Sequence, residues 1–144
     1  MNIGKQKKSM DSSNKPLNHK EIKKFLMPIL RRASFRWKPR AEALSSARIE
    51  RGLYKCASCE NAYRKDEIHM DHVVPVIDLN DGFTTWDQVI FRLFCETQGF
   101  QVLCKNCHDV KTAYEDEMRK IRNRLKKEQA KLEKKTKKQN AVGE

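Results

Sequence analysis

The spacing of apolar residues changes character along the chain. Ile22, Phe25, Leu26, Ile29 and Leu30 recur at helical intervals, and Asn18 followed by Glu21 supplies a helix start just before them. Pro28 is expected to kink or end that helix. Pro39 suits the first turn of a second helix running towards Arg51, with Gly52 as its C-terminal cap. The stretch Ile68 to Pro75 then reads as a short strand ended by proline. Thr84 or Thr85 can cap a helix carrying Trp86, Val89, Ile90, Leu93 and Phe94, bulky enough to supply most of a small core. A second strand, Phe100 to Leu103, leads into a long final helix with Tyr114, Met118, Ile121, Leu125 and Leu132 at steps of four, three, four and seven. Glu128 interrupts that seam, so the first half is expected to pack on its own domain. The second half then projects as a basic helix, and a monomer is favoured over a coiled-coil dimer. The fold class is α+β.

Composition limits how much of this can be buried. The chain has 144 residues, 38% apolar and 35% charged, which is enough for one core with extensions. No apolar run approaches the ~18 residues of a membrane span. The lysines near Met1 are followed by no apolar segment, so no secretory signal is read and an intracellular protein is expected. Charge divides the sequence. Residues 1–52 hold 14 Lys/Arg against 4 Asp/Glu, residues 53–117 hold 6 against 12, and residues 118–144 hold 11 against 3. The predicted organisation is a disordered basic arm (1–17), a basic helical region (18–52), a compact acidic module (53–117), and a basic helix and tail (118–144). Two basic arms around a compact centre suit a polyanion, nucleic acid first and an anionic membrane surface second. Arg31, Arg32, Phe35, Arg36, Trp37, Lys38 and Arg40 interleave cations with aromatics, which suits phosphate contact and stacking as well as core anchoring by Phe35 and Trp37.

Five cysteines in a reducing compartment are better read as metal ligands or free thiols than as disulfides. Cys56 and Cys59 form one C-x-x-C pair and Cys104 and Cys107 another, with 44 residues between the pairs. Four thiolates complete a closed tetrahedral zinc shell, and a 65-residue module with few aliphatic residues needs such a staple. Cys95 is left over and is expected beside Phe94. A closed zinc shell has no open position for chemistry, so Asp71-His72, before the second knuckle, and His108, directly after it, would constitute a separate site.

Cys56-x-x-Cys59, Asp71-His72-Val73-Val74-Pro75, Gln101-Val102-Leu103-Cys104-x-x-Cys107-His108 and Lys111-Thr112 together resemble the HNH endonuclease family, bacteriophage members with a zinc-bound ββα-metal core above all. The resemblance covers about residues 53 to 115. It implies a small zinc-stapled, treble-clef-like ββα-metal core and hydrolysis of DNA phosphodiester bonds, as nicks or double-strand breaks, leaving 5′-phosphate and 3′-hydroxyl ends. His72 would be the general base; Asp71 and His108 would hold a catalytic divalent metal, magnesium or manganese. Such an imidazole, with an ordinary pKa near ~6.5, can take a proton from water at neutral pH. Strand alternation would send Asp71 and His72 to opposite faces, so the chain is expected to leave the strand there.

The sequence departs from the family at the middle letter, where Gly99 stands in place of asparagine. Asn106 lies within the second knuckle and does not replace it. Gln98 or Gln101 could orient the base instead. His69 shares a strand face with Asp71 and reads as metal support or as an ordinary structural histidine. Lys111 reads as a phosphate contact or a solvated helix lysine. The alternative to an endonuclease is a non-catalytic zinc-stabilised nucleic-acid-binding module, and a junction-resolving nuclease agrees less well with the motifs.

Overall fold

The computed structural model describes residues 18–140, so the basic arm expected over 1–17 lies outside the described residues, as do residues 141–144. Helix α1 (His19–Ser34) starts at Asn18, whose side chain accepts from the Lys20 N–H at 3.0 Å. It runs on through Pro28, contrary to one expected outcome. The missing proline N–H forfeits a ladder bond. Beyond it the last turn is held by buried Ser34, whose hydroxyl donates to the Arg31 carbonyl at 2.8 Å.

Helix α2 (Lys38–Ser46) carries Pro39 in its first turn, as the sequence suggests, but stops short of Arg51. The Ala47 N–H closes it on the Ala43 carbonyl at 3.1 Å, and the chain turns into strand β1 (Arg48–Glu50). Gly52, at φ +84°, therefore forms the turn of a hairpin rather than a helix cap. Strand β2 (Leu53–Lys55) pairs antiparallel with β1 on one side and with β3 (Ala62–Arg64) on the other. The boundary expected between residues 52 and 53 thus falls inside a hairpin, and the helical region and the acidic module share a sheet.

Strand β4 (Ile68–His72) pairs antiparallel with β5 (Phe100–Cys104), in register from Ile68 opposite Cys104 to His72 opposite Phe100. Between them lies helix α3 (Trp86–Leu93), capped by Thr85, whose hydroxyl accepts from the Gln88 N–H at 3.2 Å. Val89 and Leu93 are buried. Ile90 and Phe91 are exposed, so α3 gives the core one narrow stripe and less than the sequence led us to expect. Burying each of the two is worth roughly 1.5–3 kcal/mol. β5 supplies most of the rest through Phe100, Val102, Leu103 and Cys104, joined by Tyr54, Ala43 and Cys56.

Helix α4 (Lys105–Asn140) spans about 54 Å at ~1.5 Å per residue. Its first turns pack against β4 and β5. Arg122 donates to the Asp78 carbonyl (2.8 Å) and Lys126 to the Asp81 carbonyl (2.6 Å), clamping the β4–α3 loop. From Asn123 to Gln139 every residue is exposed, which is the projecting basic half expected from its pattern. Among the described residues no helix is long and apolar enough to cross a membrane.

Candidate functional site

The first knuckle is the turn between β2 and β3. The Cys56 N–H reaches the Asn61 carbonyl (2.9 Å), the Glu60 N–H returns to the Cys56 carbonyl (3.0 Å), and Glu60 takes φ +63° to close it. The second knuckle joins the end of β5, Cys104, to Cys107 in the first turn of α4. The knuckles are tied together by the Ala57 N–H, which donates to the Val102 carbonyl at 2.8 Å. All four sulfurs lie within 4.8 Å of one another, as the spacing predicted, and among the described residues they form the one cluster of three or more metal-ligating side chains.

A zinc ion fits this donor set. Zn–S bonds of ~2.3 Å separate tetrahedral sulfurs by about 3.8 Å, and Cys59 Sγ and Cys104 Sγ stand 4.0 Å apart. Backbone donors stabilise thiolate charge: the Cys104 N–H lies 3.3 Å from Cys56 Sγ and the Cys107 N–H 3.5 Å from Cys104 Sγ. Burial opposes ionisation of Cys56, but the N–H groups of Cys59, Cys104 and Ser58 outweigh it and bring the thiol down to about 6. At neutral pH that sulfur is a ready ligand.

The opposite end of the β4–β5 pair, about 13 Å away at ~3.3 Å per residue, opens into a cleft of about 460 Å³. Asp71 and His72 both line it. The ladder stays regular through Asp71 and His72, where β4 ends, so the expected departure from the strand at this pair does not occur and the two side chains meet different elements. His72 turns towards α3. Its Nε2 is 3.1 Å from the Leu93 carbonyl, and its ring lies 4.8 Å from that of Phe100. A carbonyl only accepts, so Nε2 carries the proton and Nδ1 keeps a lone pair. Burial lowers the His72 pKa despite the favourable Leu93 carbonyl, and the Arg40 charge lowers it further, so the ring is neutral at pH 7.

Asp71 turns towards α4. Its Oδ2 accepts from Lys111 Nζ (2.7 Å) and Gln101 Nε2 (3.1 Å), while Oδ1 has no partner among the described residues. Gln101 therefore orients the Asp71 carboxylate and not His72, whose ring is positioned by a backbone carbonyl. Gln98 is exposed and borders a separate hollow. His108 stacks on His69, with ring centroids 4.6 Å apart and 24° between planes. Asp71–Lys111 and His69–His108 are thus successive rungs across the β4–α4 contact, with His108 beside His69, one rung from Asp71.

Lys111 corrects the solvated reading. Its ammonium bonds Asp71, the Glu115 carboxylate (2.6 Å) and the His72 carbonyl (3.0 Å), and Arg119 completes the chain at 2.7 Å from Glu115. Burial alone would lower the Lys111 pKa, but the two carboxylates outweigh it and raise it. Trp37 is an anchor: its indole N–H donates to the Cys95 carbonyl (2.8 Å) and its ring meets Phe94 edge-on. Gly99 has a local cause, since a Cβ there would lie 2.5 Å from Cys95 Sγ.

Several contributors escaped sequence reasoning. Glu115 carried a signal, because Lys111, Glu115 and Arg119 follow one another at i,i+4 spacing. The Leu93 carbonyl carried none, being backbone. Family models, curated proteins and solved structures give no match to this chain.

Proposed function

We propose that this chain is a metal-dependent endonuclease of the HNH type that hydrolyses DNA phosphodiester bonds, with a structural zinc on Cys56, Cys59, Cys104 and Cys107. The observation that carries the reading is His72, a neutral imidazole lining a cation-rich cleft beside Asp71, whose Nε2 is engaged by the Leu93 carbonyl so that Nδ1 is the nitrogen left to accept a proton. Nδ1 takes a proton from water as the water oxygen bonds to phosphorus. The P–O3′ bond breaks, the 3′ oxygen is protonated from solvent, and the product ends are 5′-phosphate and 3′-hydroxyl. Asp71, through Oδ1, and His108 are the residues that would hold a divalent cation, which when bound supplies charge neutralisation to the phosphate oxygens. Gln101 fixes the Asp71 carboxylate. The exposed cations of α4 beyond Arg122 contribute affinity through phosphates without reading sequence.

A second reading, a zinc-stabilised nucleic-acid-binding module without catalysis, is favoured by one contact: Lys111 already neutralises the Asp71 carboxylate at 2.7 Å. Supercoiled plasmid incubated with the zinc-loaded protein and magnesium or manganese separates the two. Under the endonuclease reading, His72→Ala keeps its zinc and its DNA affinity and cleaves at least ~100-fold more slowly. The lowered His72 pKa means that cleavage declines in acid only below the ordinary histidine value of ~6.5, as Nδ1 becomes protonated. A parent protein no faster than His72→Ala under each metal leaves the binding module as the function.

A further inference from the structure

The cleft has a wall that the chemistry above does not use. The last turn of α1 and the start of α2 bring Arg31, Phe35 and Arg40 to its edge, facing Asp71 and His72. Trp37 is engaged with Cys95 and Phe94, so of the two aromatics in this stretch Phe35 is the one left open. The residue is 67% exposed although it borders a concave surface. Behind that ring sits the Arg40 guanidinium, 5.1 Å from the Phe35 centroid and 5.8 Å from that of Phe100, held by donation to the Met70 carbonyl at 3.3 Å. The ring is therefore backed on one side by a fixed cation. Pro75, Val76 and Ile77 give the cleft an apolar part of its lining.

We infer that this wall is a nucleotide subsite, in which an unpaired DNA base stacks on Phe35 while Arg31 meets its phosphate. The inference rests on the endonuclease reading for the position of the scissile bond at His72. Three observations favour an unpaired base over paired duplex. Phosphate contacts alone call for cations and no exposed aromatic face. The cleft volume is in the range of pockets that enclose a small molecule, whereas a stacked base pair presents only its edges. The guanidinium behind the ring strengthens stacking on its outer face. A nuclease so built prefers strands with an extruded, overhanging or mismatched nucleotide next to the cut.

The test is binding of the zinc-loaded full chain, without magnesium or manganese, to two DNA hairpins carrying 2-aminopurine either unpaired or in a base pair. The expected results are tighter binding of the unpaired probe with fluorescence quenching, and a roughly 5- to 100-fold loss of that preference in Phe35→Ala. Phe35→Tyr retains both, which separates stacking from a folding defect. Equal binding of the two probes by the parent, or a preference unchanged in Phe35→Ala, overturns the subsite. Because no cleavage is read, the two proposals fail separately. A Phe35-dependent preference in a protein that never cuts plasmid leaves the subsite and removes the nuclease. Plasmid cleavage by a protein indifferent to the unpaired base does the reverse.

Discussion

At one end of the β4–β5 pair Cys104 is paired with Ile68, and the sulfurs of two knuckles converge behind it; at the other end His72, which lines the cleft, is paired with Phe100. The ends differ in what assembles them. Each knuckle is a tight turn whose geometry is local, so a C-x-x-C spacing is enough to place half a site. The cleft draws on α1, α2, β4, α4 and the end of α3, and its chemistry-bearing side chains are held by partners far away in sequence: Arg40 by the Met70 carbonyl, Asp71 by Lys111, His72 by the Leu93 carbonyl. A metal can organise the first end from a loose chain. Nothing comparable organises the second, which depends on packing already in place.

The largest effect therefore belongs to the knuckles. Cys104 belongs to the four-cysteine cluster and is also the last buried residue of β5, so Cys104→Ser breaks the set of sulfurs where the strand enters α4. Structural zinc binding is worth roughly 10–16 kcal/mol, as large as the whole stability of a typical domain. We expect Cys104→Ser to lose stoichiometric zinc in elemental analysis and to lose cooperative thermal unfolding of the β-rich module. Full zinc retention with an unchanged melt would show that the cleft end holds the fold by itself.

A smaller loss is expected at Glu115, which probes the cleft end. Its side chain, only 11% exposed, lies between Lys111 and Arg119. Glu115→Gln leaves both cations short of a partner, although Lys111 keeps Asp71 and Arg119 keeps Asp116 at 2.6 Å. Breaking a buried pair costs 3–5 kcal/mol; with two partners retained and both cations partly solvated, about 2 kcal/mol is reasonable. Denaturant unfolding measures it, and zinc content should stay unchanged. Zinc loss in this variant would mean that the two ends are not separable.

The same contrast explains how much was legible in advance. The four-cysteine cluster, the β4 and β5 strands, the Asn18 and Thr85 caps and the exposed half of α4 follow from spacing, periodicity and local capping. Gly52 was misjudged because a glycine at positive φ serves a helix end and a hairpin turn equally well, and the choice was made by β1 pairing with β2. The solvated reading of Lys111 failed because a lysine among so many on a basic helix gives no sign that Asp71 will be packed against it. The sequence left Phe35 and Trp37 open between stacking and core anchoring; for Trp37 the long-range bond to the Cys95 carbonyl decides for anchoring, while Phe35 is 67% exposed and anchors no core.

Gly99 gives the finest test of the cleft end. It lies in the turn before β5, its carbonyl accepts from the Val73 N–H at 2.9 Å, and its N–H donates to the Glu96 carbonyl at 2.8 Å. The backbone there is fully engaged and cannot shift freely to admit a side chain. Cys95 occupies the space a side chain would need, with Sγ at 2.5 Å and Cβ at 2.8 Å from a Cβ at position 99. A thiol rotamer change moves the sulfur but leaves Cys95 Cβ at 2.8 Å. Gly99→Ala should therefore destabilise by about 1–2 kcal/mol through overpacking. Cys95→Ala removes only the sulfur, so the double variant Cys95→Ala/Gly99→Ala should recover part of the loss, with a coupling of at least ~0.5 kcal/mol in a double-mutant cycle. Cys95→Gly/Gly99→Ala should recover more. Strict additivity in unfolding measurements would show that Cys95 is not what keeps position 99 free of a side chain, and that the glycine there answers to the turn alone.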